Sequence, residues 1–136
     1  MIFDYDLMFI DDKDGQQKNI TTGVIGDTLD LVGAGQGKGY RSYIAILFSS
    51  DTTATADPEI QFALESADNS NFTNSNKYPL EAPTPLKKAD LKAGTVLSFP
   101  LPLVGLQRYL RLRIGCDSPI TCMGIRAGLV LDVPLA

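Results

Sequence analysis

At 136 residues the chain has the length of one domain, and its 44% hydrophobic content is enough to bury a core without disulfides or metal. Sixteen acidic residues against twelve basic ones leave a net charge of −4, which excludes a protein built for broad nucleic-acid binding, because that task needs a positive field. No window approaches the roughly 18 apolar residues that cross a bilayer as a helix, so no membrane partner is expected either.

The first fifteen residues, MIFDYDLMFIDDKDG, carry Asp4, Asp6, Asp11, Asp12 and Asp14 and lack the basic start of a secretory signal. The expectation is a protein made and assembled inside the cell. Phe3, Tyr5, Leu7 and Phe9 alternate with Ile2, Asp4, Asp6 and Met8. That period of two predicts an edge strand, or an extended arm over 1–15 that adds to a neighbouring sheet. The aspartates fail as a calcium loop. An EF-hand ending its acidic part at Asp14-Gly15 would place Ile10 where an acid is needed and Thr21 where the closing glutamate belongs.

Next comes LVGAGQGKG (Leu31–Gly39). A dinucleotide fingerprint that uses Gly33 and Gly35 finds Lys38 at its third glycine position. A P-loop counted back from Gly37-Lys38 begins on Val32 and puts Gly39 where a hydroxyl is required. A strand-like run follows instead of a helix, so no helix N-terminus is present to hold phosphate. The segment reads as a connection between strands.

That run, YIAILF (Tyr43–Phe48), is apolar at every position and predicts a central strand covered on both faces. After the polar stretch SSDTTATADP, the segment EIQFALE puts Ile60, Phe62 and Leu64 on one face and Glu59, Gln61 and Glu65 on the other, as in a half-buried strand. SADNSNFTNSN and EAPTP are turn signals, and LKKADL (Leu86–Leu91) is long enough for only a turn or two of helix. TVLSFPLPL is extended, but Pro100 and Pro102 cannot donate ladder hydrogen bonds, so its latter half belongs at an edge or in a connection. RYLRLRI alternates Leu110, Leu112 and Ile114 with Tyr109, Arg111 and Arg113. After the turn CDSPITC, GIRAGLVLD sets Ile125, Ala127, Leu129 and Leu131 opposite Arg126, Val130 and Asp132. Seven or eight short strands separated by polar loops predict an all-β sandwich of jelly-roll or immunoglobulin-like type.

Catalytic chemistry finds few candidates. There is no histidine, which removes the commonest general base and the Ser-His-Asp and Cys-His arrangements. Cys116 and Cys122 fall short of the three or four Cys/His ligands of a metal site, and both are expected as free thiols. Glu59 and Glu65, as a carboxylate pair for glycoside chemistry, share one strand face without an aromatic platform, and the chain has no tryptophan. No enzymatic activity, cofactor, metal or small-molecule substrate is expected.

The constellation that points outward is LQRYLRLRI. Arg108, Arg111 and Arg113 fall within six positions, and Arg111 and Arg113 share a face with Tyr109. Arg and Tyr are enriched where protein surfaces recognise one another. In an acidic chain such a stripe is either neutralised by carboxylates such as Glu65 or Asp132, or offered to a partner. It joins Phe3, Asp4, Tyr5, Asp6 and Phe9 of the N-terminal segment as the candidate partner-binding set.

Taken in order, MIFDYDLMFIDDKDG, GDTLDLVGAGQGKG, IQFALESADNSNFT, LKAGTVLSFPLPLVGLQRYLRLRI and IRAGLVLD resemble the jelly-roll capsid cement (decoration or stapling) proteins of short-tailed bacteriophages, over nearly the whole chain. The turn CDSPITC departs from them, standing where a glycine-rich loop is expected. The resemblance implies one jelly-roll domain over 1–136 and a non-enzymatic homodimer or homotrimer. It also implies a protein made in the bacterial host cytoplasm that binds the outer capsid surface and cements adjacent major capsid protein subunits after expansion. A carbohydrate-binding β-sandwich module and a tail or neck structural protein are the alternative expectations.

Overall fold

The structure is a computed structural model, and it describes residues 8–11, 20–30, 42–82, 84–101 and 107–131. These residues form eight strands: β1 (Met8–Asp11), β2 (Gly23–Asp30), β3 (Ser42–Phe48), β4 (Ile60–Ala67), β5 (Asn76–Leu80), β6 (Val96–Pro100), β7 (Tyr109–Cys116) and β8 (Ile125–Leu131). One antiparallel sheet runs β1-β8-β3-β6 and the other β2-β7-β4-β5. Only β4 and β5 follow one another within a sheet; every other connection crosses the sandwich. That order is an eight-stranded jelly roll, as expected from the strand spacing and the resemblance.

Alternation dictates the core. Ile60, Phe62 and Leu64 of β4 and Leu110, Leu112 and Ile114 of β7 face Ile44, Ile46 and Phe48 of β3 and Ile125, Ala127 and Leu129 of β8, and all are buried. Each large side chain so placed contributes about 2 kcal/mol of burial free energy. β3 lies between β8 and β6, as its apolar run predicts, but it is closed on one face only. Tyr43 and Leu47 on the outer face stay half-buried. Beside them Ala45, flanked in register by Gly128 and Ser98, makes a flat floor instead of seating a further layer. β6 is an edge strand that ends on Pro100, where a missing donor does little harm. The segment Lys88–Asp90 makes a single 3-10 turn, which Asp90 closes by accepting from the backbone N–H of Lys87 at 3.0 Å.

The structure revises the reading of the N-terminal segment. Met8–Asp11 is an edge strand paired with β8, and Phe9 is fully buried in the core. Phe9 therefore does not belong to a partner-binding surface: its ring fills the sandwich interior, where the apolar face of an edge strand must point. Phe3, Asp4, Tyr5 and Asp6 lie outside the described residues, as do the rest of the 1–15 arm apart from β1, the glycine-rich segment 31–40, and Pro102.

Two strands have no clear alternation in sequence. β2 buries Ile25 and Leu29, four apart, because its register with β7 shifts between them. Gly26 sits in that shift at φ +80°, and a Cβ there would collide with the backbone carbonyl of Phe9. Glycine thus lets β2 of one sheet lie directly against β1 of the other and close that side of the sandwich. β5 is short, ends in Tyr78-Pro79-Leu80, and follows an Asn/Ser-rich turn that masks its start.

One end of the sandwich is knitted by backbone hydrogen bonds between loops. Ile20 and Ile120 exchange bonds at 2.7 and 3.0 Å, and Thr53 and Thr121 do so at 3.0 and 2.8 Å. The Thr52 N–H donates to Leu91 O at 2.9 Å, and that of Ile60 to Leu86 O at 2.8 Å. These cross-loop bonds satisfy backbone groups that burial would otherwise leave unpaired. Both cysteines lie buried near this end as free thiols. Burial pushes each thiol's pKa up; for Cys122 a hydrogen bond from the Thr52 hydroxyl opposes it in part.

Candidate partner-binding face

Outward-pointing residues of β2-β7-β4-β5 gather the arginines singled out in the sequence. In register, Glu65 of β4 stands between Arg111 of β7 and Lys77 of β5. Arg111 Nε donates to Glu65 Oε1 at 2.5 Å, Arg113 Nη1 donates to the same oxygen at 3.2 Å, and the Ser75 hydroxyl donates to Oε2 at 2.5 Å. Glu65, expected on the polar face of β4 and as one carboxylate that could neutralise the stripe, is only 3% exposed.

The loop after β4 explains that burial. Asn69 Oδ1 accepts from the Thr73 N–H at 3.0 Å while Asn69 Nδ2 donates to Thr73 O at 3.0 Å, which folds the loop back on itself. Phe72, held at φ +56°, is thereby pressed onto the sheet, and the Arg111 guanidinium lies 3.9 Å from its ring centroid. The carboxylate is thus held by two arginines and Ser75, and Phe72 covers Arg111. Burial pushes its pKa up, but the hydrogen bonds from Arg111, Ser75 and Arg113 outweigh burial and hold it down at about 2.

The four residues of the stripe therefore differ in role. Arg108 forks onto both oxygens of Asp30 at 2.9 Å and lies 4.9 Å from the Tyr109 ring centroid, with its charge locally cancelled at the surface. Tyr109 is half-buried beneath that fork. Arg111 is committed to Glu65 and Phe72. Arg113, whose side chain is 28% exposed, makes one hydrogen bond among the described residues, to a carboxylate oxygen it shares with Arg111.

Around Arg113 the sheet is flat and apolar. One register row runs Val24, Arg113, Ala63, Pro79 across all four strands, with Val24 44% exposed. Gln61 and Pro79 also border a cleft of about 260 Å³, floored by Ile60, Phe62, Leu80 and Leu86 and rimmed by Glu81. Sequence reasoning placed Arg113 on this face but missed Val24, Lys77 and Pro79, because β2 and β5 lack the clean alternation that would have assigned them. The Asn69–Asn74 turn was legible as a turn; its role as a lid over Arg111 was not.

Among the described residues, no group of three or more His, Cys, Asp or Glu is placed to hold a metal ion, and no helix is long and apolar enough to cross a membrane. No curated protein matches the chain. Residues 14–129 match the family described as Bbp16. The match takes in strands β2 to β7 and β8 as far as Leu129, the whole Glu65 cluster and the Arg113 row, and by its extent the chain belongs to the Bbp16 family.

Proposed function

We propose that this protein is a non-enzymatic structural component of a phage virion, made in the bacterial host cytoplasm, that binds the outer capsid surface and cements adjacent major capsid protein subunits. The observation that carries this reading is the outer face of β2-β7-β4-β5. It is four strands wide, braced by the buried Glu65 cluster, and positively charged across β4, β5 and β7 on a chain that is acidic as a whole. A braced, flat face with an arginine and apolar neighbours at its centre has the composition of a protein-docking surface. The jelly-roll order accords with the cement proteins that the sequence resembles.

The opposite sheet supplies a second, different surface. The half-buried Tyr43, Leu47 and Val130 and the exposed Val96 surround the Ala45-Gly128 floor, and Arg126 is paired with Asp11 at 3.0 Å beside them. This face serves self-association as a dimer or trimer, leaving the charged face for the shell. A contact of about 1,200–2,000 Å² is sufficient for specific docking, and repetition over a symmetric lattice multiplies its effect when the oligomer bridges neighbouring subunits.

The test is co-sedimentation of the purified protein with expanded, cement-free capsids of the phage that encodes it, quantified as copies per shell. Saturation in proportion to the lattice positions is expected. Binding confined to a single vertex, or no binding by a folded oligomer, overturns the proposal.

A further inference from the structure

We infer that the row centred on Arg113 recognises a carboxylate on a partner protein, carried by a segment whose apolar side chain enters the neighbouring cleft. The inference deepens the capsid-docking reading and relies on it for the partner's identity, but not for the partner's chemistry.

A guanidinium offers five N–H donors in a planar fork, and Arg113 uses one of them among the described residues. Its only acceptor there, Glu65 Oε1, already takes the shorter bond from Arg111. Within β4, β5 and β7 the outward charges are Lys77, Arg111 and Arg113 against Glu65 alone, so two positive charges are left in excess. Lys77 is exposed and makes no ion pair among the described residues. The excess is therefore carried by Arg113 and Lys77, on β7 and β5 to either side of the buried Glu65, and Arg113 is the one that lies in the apolar row. Val24 and Ala63 flank the guanidinium with apolar surface, which excludes competing water once a partner lies over the row and strengthens a bidentate bond to carboxylate.

The cleft fixes the rest of the ligand. Arg113 on β7 and Pro79 on β5 are separated by two inter-strand spacings, about 10 Å, and Pro79 borders the cleft. Chain in the polyproline-II conformation has three residues per turn and rises about 3.1 Å per residue, so side chains three positions apart point the same way about 9 Å apart. The matching partner segment takes that conformation, with a large aliphatic residue three positions from an Asp or Glu. Glu81 at the cleft rim repels an acid there, so the aliphatic residue goes into the cleft and the acid onto Arg113.

The probe is a pair of peptides, acetyl-Leu-Thr-Thr-Asp-amide and its Asn counterpart, titrated into nitrogen-15-labelled protein. The Asp peptide is expected to shift the Arg113 Nε–H signal and the amides of Val24, Ala63 and Leu80, with the Asn peptide about tenfold weaker, the loss of about 1.4 kcal/mol. Val24→Glu places a carboxylate directly opposite Arg113 in the strand pair at a largely exposed site, so it should fold normally and abolish the response by occupying the guanidinium. Arg113→Gln should abolish it as well. Equal response to the two peptides, or an unchanged response in Val24→Glu, overturns the inference. Cement-free expanded capsids then separate the two claims. Wild type bound with Val24→Glu unbound supports the inference; both bound equally defeats it and leaves the cement reading standing. Wild type unbound, with the peptide selectivity intact, defeats the cement reading and leaves the inference standing.

Discussion

Arg111 holds Glu65 from one side and stacks on Phe72 from the other: its Nε lies 2.5 Å from the carboxylate and its guanidinium 3.9 Å from the ring centroid. One side chain therefore ties β7 to β4 and to the loop that follows β4. Arg111→Ala removes the main partner of a buried carboxylate and the cation beneath Phe72, and should cost about 3 kcal/mol in urea unfolding. Arg108→Ala, which breaks an exposed pair with Asp30, should cost less than about 1 kcal/mol by the same measurement.

The same cluster sets an acid limit. Glu65 is held at about 2 in the folded protein against an ordinary value of 4.5. Its folded pKa is depressed, so its contribution is fully present above pH 4.5 and is lost as pH falls from there through 2. The shift corresponds to about 3 kcal/mol at neutral pH. Wild type should therefore lose about that much more stability than Glu65→Gln between pH 5 and 2, a difference that subtracts out the other carboxylates. Parallel pH profiles for the two proteins would contradict this.

How much of this was legible in sequence depended on strand length and regularity. β7 alternates cleanly over eight residues and β4 over Ile60–Leu64, and β8 sets Ile125 and Ala127 against Arg126, so those buried faces could be read directly. β2 could not, because the register shift at Gly26 replaces period two with a spacing of four between Ile25 and Leu29. The arginine stripe was visible, with Glu65 among the carboxylates weighed against it. That Glu65 takes both Arg111 and Arg113 and leaves Arg113 with spare donors depends on cross-strand register and on the Asn69–Asn74 turn, which are long-range facts. Phe9 shows the opposite failure: an edge strand was expected here, but in β1 Met8, Phe9 and Ile10 are all buried, so alternation could not assign Phe9 a face until β1 paired with β8.

Gly26 closes the sandwich between β1 and β2. Gly26→Ala combines a left-handed backbone with a collision against Phe9 O, and should destabilise by about 2 kcal/mol or more. Hydrogen exchange should show β1 losing protection before β3 or β8. Uniform loss across all strands would contradict the local role. Because β1 carries core residue Phe9, deletion of residues 1–15 should destabilise the fold, so it cannot serve as a clean test of an arm.

The two cysteines should be chemically silent in the folded state. Cys116 is 6% and Cys122 1% exposed, and burial raises both thiols. Ellman's reagent at pH 8 should titrate two thiols per chain only after unfolding. Rapid labelling of native protein would contradict the packing of the loop end.

A cement protein must strengthen the shell as well as bind it. The most direct measurement is the temperature at which expanded, DNA-filled capsids release their DNA, read by dye fluorescence with and without saturating protein. The account predicts a rise of several degrees that tracks occupancy and disappears with Val24→Glu. An unchanged release temperature at full occupancy would contradict it.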